Sequence, residues 1–381
     1  MKKNIGKWVS FICALSLLIS ITPVSAIEVV SPSTHQLLRN ERRDAVFSQK
    51  FESMQPADIS QRITISNYTT RELTDFAGNA YTLVECNPTG YLIYHDSSGV
   101  FAEASLSSPS PYASFSGPIY YNGPTNYYAL VSGELVHTIT GEKLNSVAVP
   151  TQYSEKINDI LLQQKDTAVL NYIDRGTPYA NTMSTRVSNN IYVEDYTLIR
   201  GLTTRSEIGY KDGGYCGYIA GAMATLYLQV HSGLILIPSQ YLSSSGFAFK
   251  NDSFTSLLAS YGFSHSTTAS TLASALNDYF DDNNYIVSAN WSLFGSANTT
   301  RSYIDNDQPV MVGGGYASDP NDSSSSTVAH FILAYGYGPA DNSSSSYFIV
   351  HYGWPDYSEV QINNGLFILQ SADYVVLKIT P

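Results

Sequence analysis

Apolar residues recur at helical spacing from Ser33 to Met54, where Leu37, Leu38, Ala45, Val46 and Phe51 follow the start signals Pro32 and Ser33. From Arg62 to about Val149 the period shortens. Runs of β-branched and aromatic residues, such as Tyr81 to Glu85 and Tyr91 to Tyr94, are separated by Asn87-Pro88-Thr89-Gly90 and Asp96-Ser97-Ser98-Gly99, a pattern that predicts an antiparallel meander. Helical spacing returns between Thr151 and Ile173, with Tyr153, Ile157, Ile160, Leu161, Val169 and Leu170 along one side. Asp174 to Asn190 is polar, holds Gly176, Pro178, Arg175 and Arg186, and reads as a linker. Beyond it, Ile219, Met223, Leu226 and Val230 predict a helix over Tyr215 to Val230, ending before Gly233, and further helices are predicted at Phe254 to Tyr261 and Ser270 to Phe280. The tail reads as strands at Pro309 to Gly313, Val328 to Gly336, Ser346 to Tyr352, Gly365 to Leu369 and Tyr374 to Ile379. Helices followed by strands predict an α+β domain.

Composition changes this picture in three ways. With 381 residues and 43% hydrophobic content the chain can fill more than one core. Charged residues make up only 14%, against about 25% in an average soluble protein, and thirty tyrosines help to fill the gap, a make-up that fits an exported protein. The net charge of −12 argues against a nucleic-acid groove, which needs clustered Lys and Arg to neutralise phosphates.

The N-terminus reads as a secretory signal peptide. Lys2, Lys3 and Lys7 precede an apolar stretch from Trp8 to Ile21, and Val24-Ser25-Ala26 is a small-x-small cleavage site. The expected organisation is a leader over 1–26, a β-rich region with flanking helices over 27–190, and an α+β domain over 191–381. Losing the leader removes three lysines and no acid, leaving the exported form more acidic still. No other stretch approaches the length of a spanning helix, so no membrane association is expected after signal removal.

Cys13 leaves with the leader, so the exported chain keeps Cys86 and Cys216. Either the two pair, or one is a thiol kept for reactivity. Without CxxC or HExxH among seven scattered histidines, no metal site is expected. Gly213-Gly214-Tyr215-Cys216-Gly217-Tyr218 places a thiol at the start of a helix, where unpaired N–H groups and the positive end of the helix dipole favour the thiolate. The companion is a histidine. Thr327 to Tyr337 reads as a strand with His330 near its start, and Tyr347 to Tyr352 returns beside it. Centring the loop Gly338 to Ser345 between residues 341 and 342 sets His351 opposite Ile332, on the face of His330. A slip of one residue would turn it to the other face.

These residues resemble a papain-fold cysteine peptidase, most like the streptopain-like secreted bacterial enzymes. The likeness rests on three blocks in order: Gly214 to Gly217; Tyr303 to Gly313; and Ala329 to Gly336 followed by Tyr347 to Trp354 and Gly365 to Phe367. Gly90 to Asp96 more faintly resembles a strand of the β-rich prodomain of such enzymes. The resemblance implies a secreted thiol protease made as a zymogen, with Cys216 as nucleophile, His330 as base, a peptide or protein substrate, its own prodomain as partner, and no cofactor. The family's orienting Asn falls on His351, and its oxyanion side chain falls on Tyr210, with Asp212 nearer; Trp354 would shield the pair from water. Two alternatives stand beside this reading. A peptidoglycan amidase or endopeptidase would use a Cys-His-His set, and an inactive peptidase-like binding module would keep the cleft with Cys216 inert.

Overall fold

The computed structural model describes residues 34–55, 67–144, 151–176, 190–262, 268–293, 296–314, 330–338, 346–370 and 373–380. Helix α1 spans Thr34–Met54, as the periodicity predicts, and buries Val46, Phe51 and Met54. The short-period runs become β1 (Asn67–Thr74), β2 (Ala80–Asn87), β3 (Tyr91–His95) and β4 (Val100–Ser105), joined as successive antiparallel neighbours. The expected meander holds that far and then departs, because β5 (Ile119–Tyr121) meets β1 in parallel at Thr74 and Tyr120. Strands β6 (Tyr127–Val131), β7 (Glu134–His137) and β8 (Lys143–Leu144) follow as antiparallel neighbours.

The single helix expected over Thr151 to Ile173 is two, α2 (Thr151–Gln163) and α3 (Thr167–Arg175). Asp166 makes the break: its carboxylate accepts the Val169 N–H at 3.0 Å, an N-cap that starts a new helix where the apolar periodicity runs on without a gap. Of the predicted linker, residues 177–189 lie outside the described residues.

The second region opens with β9 (Ile191–Tyr192), α4 (Tyr196–Gly201), α5 (Cys216–Ser232), α6 (Ser253–Tyr261) and α7 (Ala269–Asp282). Helix α5 ends before Gly233 as expected, and Gly233, with a φ of 71°, caps it in the left-handed conformation. Its apolar stripe is wider than the sequence indicates: every residue from Gly217 to Tyr227 is buried, since α5 packs against α4, α6 and α7 as well as the sheet. The remaining elements are β10 (Val287–Leu293), α8 (Ala297–Ile304), β11 (Val310–Gly314), β12 (His330–Gly338), β13 (Tyr347–His351), β14 (Val360–Asn363), α9 (Asn364–Gln370) and β15 (Asp373–Ile379). Gly365 to Leu369, expected as a strand, therefore lies in α9, and the strand is upstream. Asn363 decides this: its side-chain oxygen accepts the Gly365 N–H at 2.9 Å and turns the chain into a helix. Phe367 then stacks on Phe348 at 3.9 Å between centroids.

The fold is α+β, with sheet order β10-β15-β11-β12-β13-β14 in the second region. The sheet does not stop at the expected domain boundary, because β14 pairs with β4 through Gln361 with Ala104 and Ile362 with Glu103. Among the described residues no helix is long and apolar enough to cross a membrane.

Strands β11 and β12 meet closely where Gly313 faces Phe331. A methyl group on Gly313 would come within 2.2 Å of the buried Phe331 ring. Gly313→Ala is expected to lower stability by about 1–3 kcal/mol through overpacking, read as a lower denaturant midpoint.

Candidate active site

The turn before α5 is built by glycine. Gly213 and Gly214 hold φ of 90° and 82°, a left-handed conformation that other residues rarely adopt, and they bring the chain round so that the helix begins on Cys216. Tyr215, at the cap position, makes no side-chain capping bond. The amides of Cys216 and Gly217 bear on the sulfur, and so does the backbone N–H of Phe331, the residue after His330 on β12. The thiol thus sits where a helix N-terminus meets the strand that carries the histidine. Burial is the larger influence and lifts the thiol above its ordinary value; the three amides pull it down, and the Glu142 carboxylate from the turn after β7 pushes it up.

His330 is buried at the start of β12. Its Nε2 lies 2.6 Å from the Tyr352 carbonyl, and its ring lies on the indole of Trp354 with centroids 4.4 Å apart and planes at 31°. A carbonyl only accepts, so Nε2 carries the proton and Nδ1 keeps the lone pair. Burial pushes the imidazole down to about 4, against the pull of the Tyr352 carbonyl, and His137 pushes it the same way as burial. The Trp354 indole therefore lies over the His330 ring.

His351 does not join that group. Strands β12 and β13 pair Leu333 with His351, one residue from the register expected from the loop, and the ladder has a bulge between Ala334 and Gly336. The shift turns the ring to the opposite face from His330. There Nε2 donates to the Leu202 carbonyl at 2.7 Å and Nδ1 accepts the Gly353 N–H at 2.8 Å, so both nitrogens are occupied by backbone. Burial holds this ring neutral, pushed down to about 4. The group that orients His330 is the Tyr352 carbonyl, a backbone atom that carries no side-chain signature.

Tyr210 lies under Arg205, whose guanidinium carbon is 4.2 Å from the ring centroid. Its phenol is pushed up to about 12 by burial and by a hydrogen bond to Asp212, so it stays protonated and able to donate. Asp212 is exposed and bonded to Arg205 at 2.7 Å. An ionised carboxylate accepts only, so as placed Asp212 holds Arg205 and Tyr210 and offers nothing to an oxyanion.

Sequence reasoning missed the groups that reach this site from the first region. His137, the last residue of β7, lies 5.5 Å from Trp354 between ring centroids; its Nε2 donates to the Thr125 carbonyl at 2.9 Å, and its Nδ1 accepts from Thr140 N–H at 3.2 Å. Behind it, Glu103 on β4 is fully buried and accepts from Tyr91 and Tyr127, with Tyr121 at 3.4 Å. The Tyr127 hydroxyl lies 3.4 Å from that of Tyr352, the residue whose carbonyl holds His330. A network thus runs from the first region to the histidine. Neither Cys86 nor Cys216 is in a disulfide; Cys86 faces Tyr68 across β1 and β2.

No family model matches this chain, and no curated protein matches it. Among solved structures it is similar to a fragment of prointerpain A from Prevotella intermedia, a cysteine-to-alanine mutant. The two share 12% identity with a TM-score of 0.35, over 82% of this chain and 98% of the other.

Proposed function

We propose that the chain is the latent precursor of a secreted cysteine peptidase, with Cys216 as nucleophile, His330 as base and residues of the 27–190 region covering the site. The observation that carries the reading is the Cys216 sulfur at the N-terminus of α5 against the Phe331 amide, on the strand where the preceding residue is a histidine whose tautomer is held by a carbonyl and whose ring is covered by an indole.

In the working enzyme Nδ1 of His330 takes the thiol proton and the sulfur attacks the peptide carbonyl. The oxyanion is met by the Cys216 amide; the Tyr210 phenol, whose proton goes to Asp212 in this structure, serves as a second donor only after leaving that carboxylate. His330 then returns the proton to the leaving amine, and water releases the acyl group by the same path. His137 and Glu142 support latency, because the first raises the cost of protonating His330 and the second the cost of ionising Cys216. Export rests on the N-terminal pattern, which lies outside the described residues.

Culture protein is expected to be cut within 177–189, and mass spectrometry of a Cys216→Ala version should find the chain intact. Cutting that persists in the variant would remove autoprocessing from the reading. On a casein substrate, His330→Ala is expected to lower kcat by about 10²- to 10⁴-fold, the usual share of a general base. The peptidoglycan reading drew its support from a Cys-His-His set, and the backbone bonds of His351 take that support away. The inert binding module is favoured by one observation, a raised thiol at Cys216 together with a lowered imidazole at His330, and the alkylation experiment in the Discussion separates it from a latent enzyme.

A further inference from the structure

The far end of α5 carries a second cluster of chemistry. His231 lies fifteen residues after Cys216, about 22 Å along the helix at 1.5 Å per residue. Its Nδ1 is 3.0 Å from Asp195 Oδ2 and 4.0 Å from Glu194 Oε2. Asp307, in the turn before β11, accepts the Glu194 N–H at 2.8 Å. One donor atom each from Glu194, His231 and Asp307 lies within 4.8 Å of the others, a spacing that an ion with bonds of about 2.0–2.2 Å closes with small side-chain movements. Among the described residues no lysine or arginine forms an ion pair with Glu194, Asp195 or Asp307, so three carboxylates face one imidazole.

A second observation comes from beneath the cluster. Tyr227 is 1% exposed and its ring stacks on His231, centroids 5.4 Å apart and planes at 11°. Its hydroxyl is buried without a hydrogen-bond partner and faces the Asp195 backbone together with the carboxylates of Asp307, Asp195 and Glu194. A buried phenol held toward acidic ligands is positioned to donate to a ligating carboxylate, as the groups behind metal ligands do. Beside it Tyr227, His231 and Asp307 border a cavity of about 320 Å³ that Lys378 also lines.

We propose that Glu194, His231 and Asp307 bind one divalent cation of the zinc class, with Asp195 orienting His231. One imidazole with two carboxylates suits such an ion and leaves a position for water. The ion joins three segments distant in the chain, the entry to the second region, the C-terminal end of α5 and the turn before β11. The site owes nothing to the reactivity of Cys216. Metal-ligand spacing in the sequence could not reveal it, because its residues stand at positions 194, 231 and 307.

The test is isothermal titration of the full chain with zinc chloride, in a Cys86→Ser, Cys216→Ala background so that neither thiol competes. One equivalent is expected to bind, with a rise in Tm. His231→Gln and Asp307→Asn should each weaken binding about tenfold or more while circular dichroism stays unchanged, and Tyr227→Phe should weaken it less. No zinc uptake would mean that His231 and Asp195 form an ordinary ion pair, and the proposal falls. Binding of equal strength in His231→Gln would overturn it as well. Should a variant unfold, cobalt absorption on the parent chain still decides: bands of a nitrogen- and oxygen-ligated ion are expected, and a hexa-aqua spectrum would refute the site.

Discussion

Cys216 in the intact chain is expected to react with iodoacetamide more slowly at pH 7 than an exposed cysteine, and cutting within 177–189 with removal of the first region to speed it about 100-fold or more. The thiol is now raised by burial and by Glu142. A thiolate at a helix N-terminus beside a histidine falls to about 3.5–7.5, and each unit of that fall raises the thiolate fraction tenfold until the thiol is mostly ionised. Glu142→Gln in the uncut chain should give a smaller gain, since it removes only the lesser of the two raising influences. The alkylated peptide is identified by mass, because Cys86 is pushed up to about 12 and should stay unlabelled at this pH. Equal rates before and after cutting would leave the inert binding module as the better reading.

The second large effect is a loss of stability with rising pH that belongs to Glu103. Burial pushes this carboxyl up to about 7, against the hydrogen bonds of Tyr127, Tyr91, Tyr352 and Tyr121, while the unfolded chain keeps an ordinary value of 4.5. Between those values the folded protein holds a proton that the unfolded chain has lost, so unfolding releases it and stability falls as pH rises from about 4.5 to 7. The size is on the order of 3 kcal/mol. His330 and His351 act oppositely: both are pushed down to about 4, so their contribution is present above 6.5 and lost as pH falls toward 4. Comparison with Glu103→Gln isolates the carboxyl. In urea titrations at pH 5 and pH 8 the change in stability of the parent should fall below that of the variant, since the histidine contribution is common to both and the Glu103 loss is not. Parallel curves would mean that Glu103 is ionised throughout and that its tyrosines stabilise the charge fully.

Much of the framework was legible because it rests on local rules. The periods of α1, α6 and α7, the end of α5 before Gly233 and the strands β2, β3, β11 and β15 all follow from residues adjacent in the chain. The misreadings share a cause. Asp166 splits a helix and Asn363 converts a strand by single side-chain bonds to the backbone, which leave the apolar pattern unaltered. The face of His351 turned on one residue of register, and a loop centre cannot fix register across a bulged pair.

The candidate site divides along the same line. That a thiol opens a glycine-led helix and that His330 opens a strand were properties of short stretches, readable from turn and cap chemistry alone. That the Tyr352 carbonyl holds His330, that His137 and Glu142 bear on the pair, and that β4 and β14 join one sheet across the expected boundary were decided only by the tertiary structure. The physical reason is range. Helix caps, turns and alternation act over a few residues, whereas the desolvation and charge that set a thiol or an imidazole depend on every group brought near it, however distant in the chain.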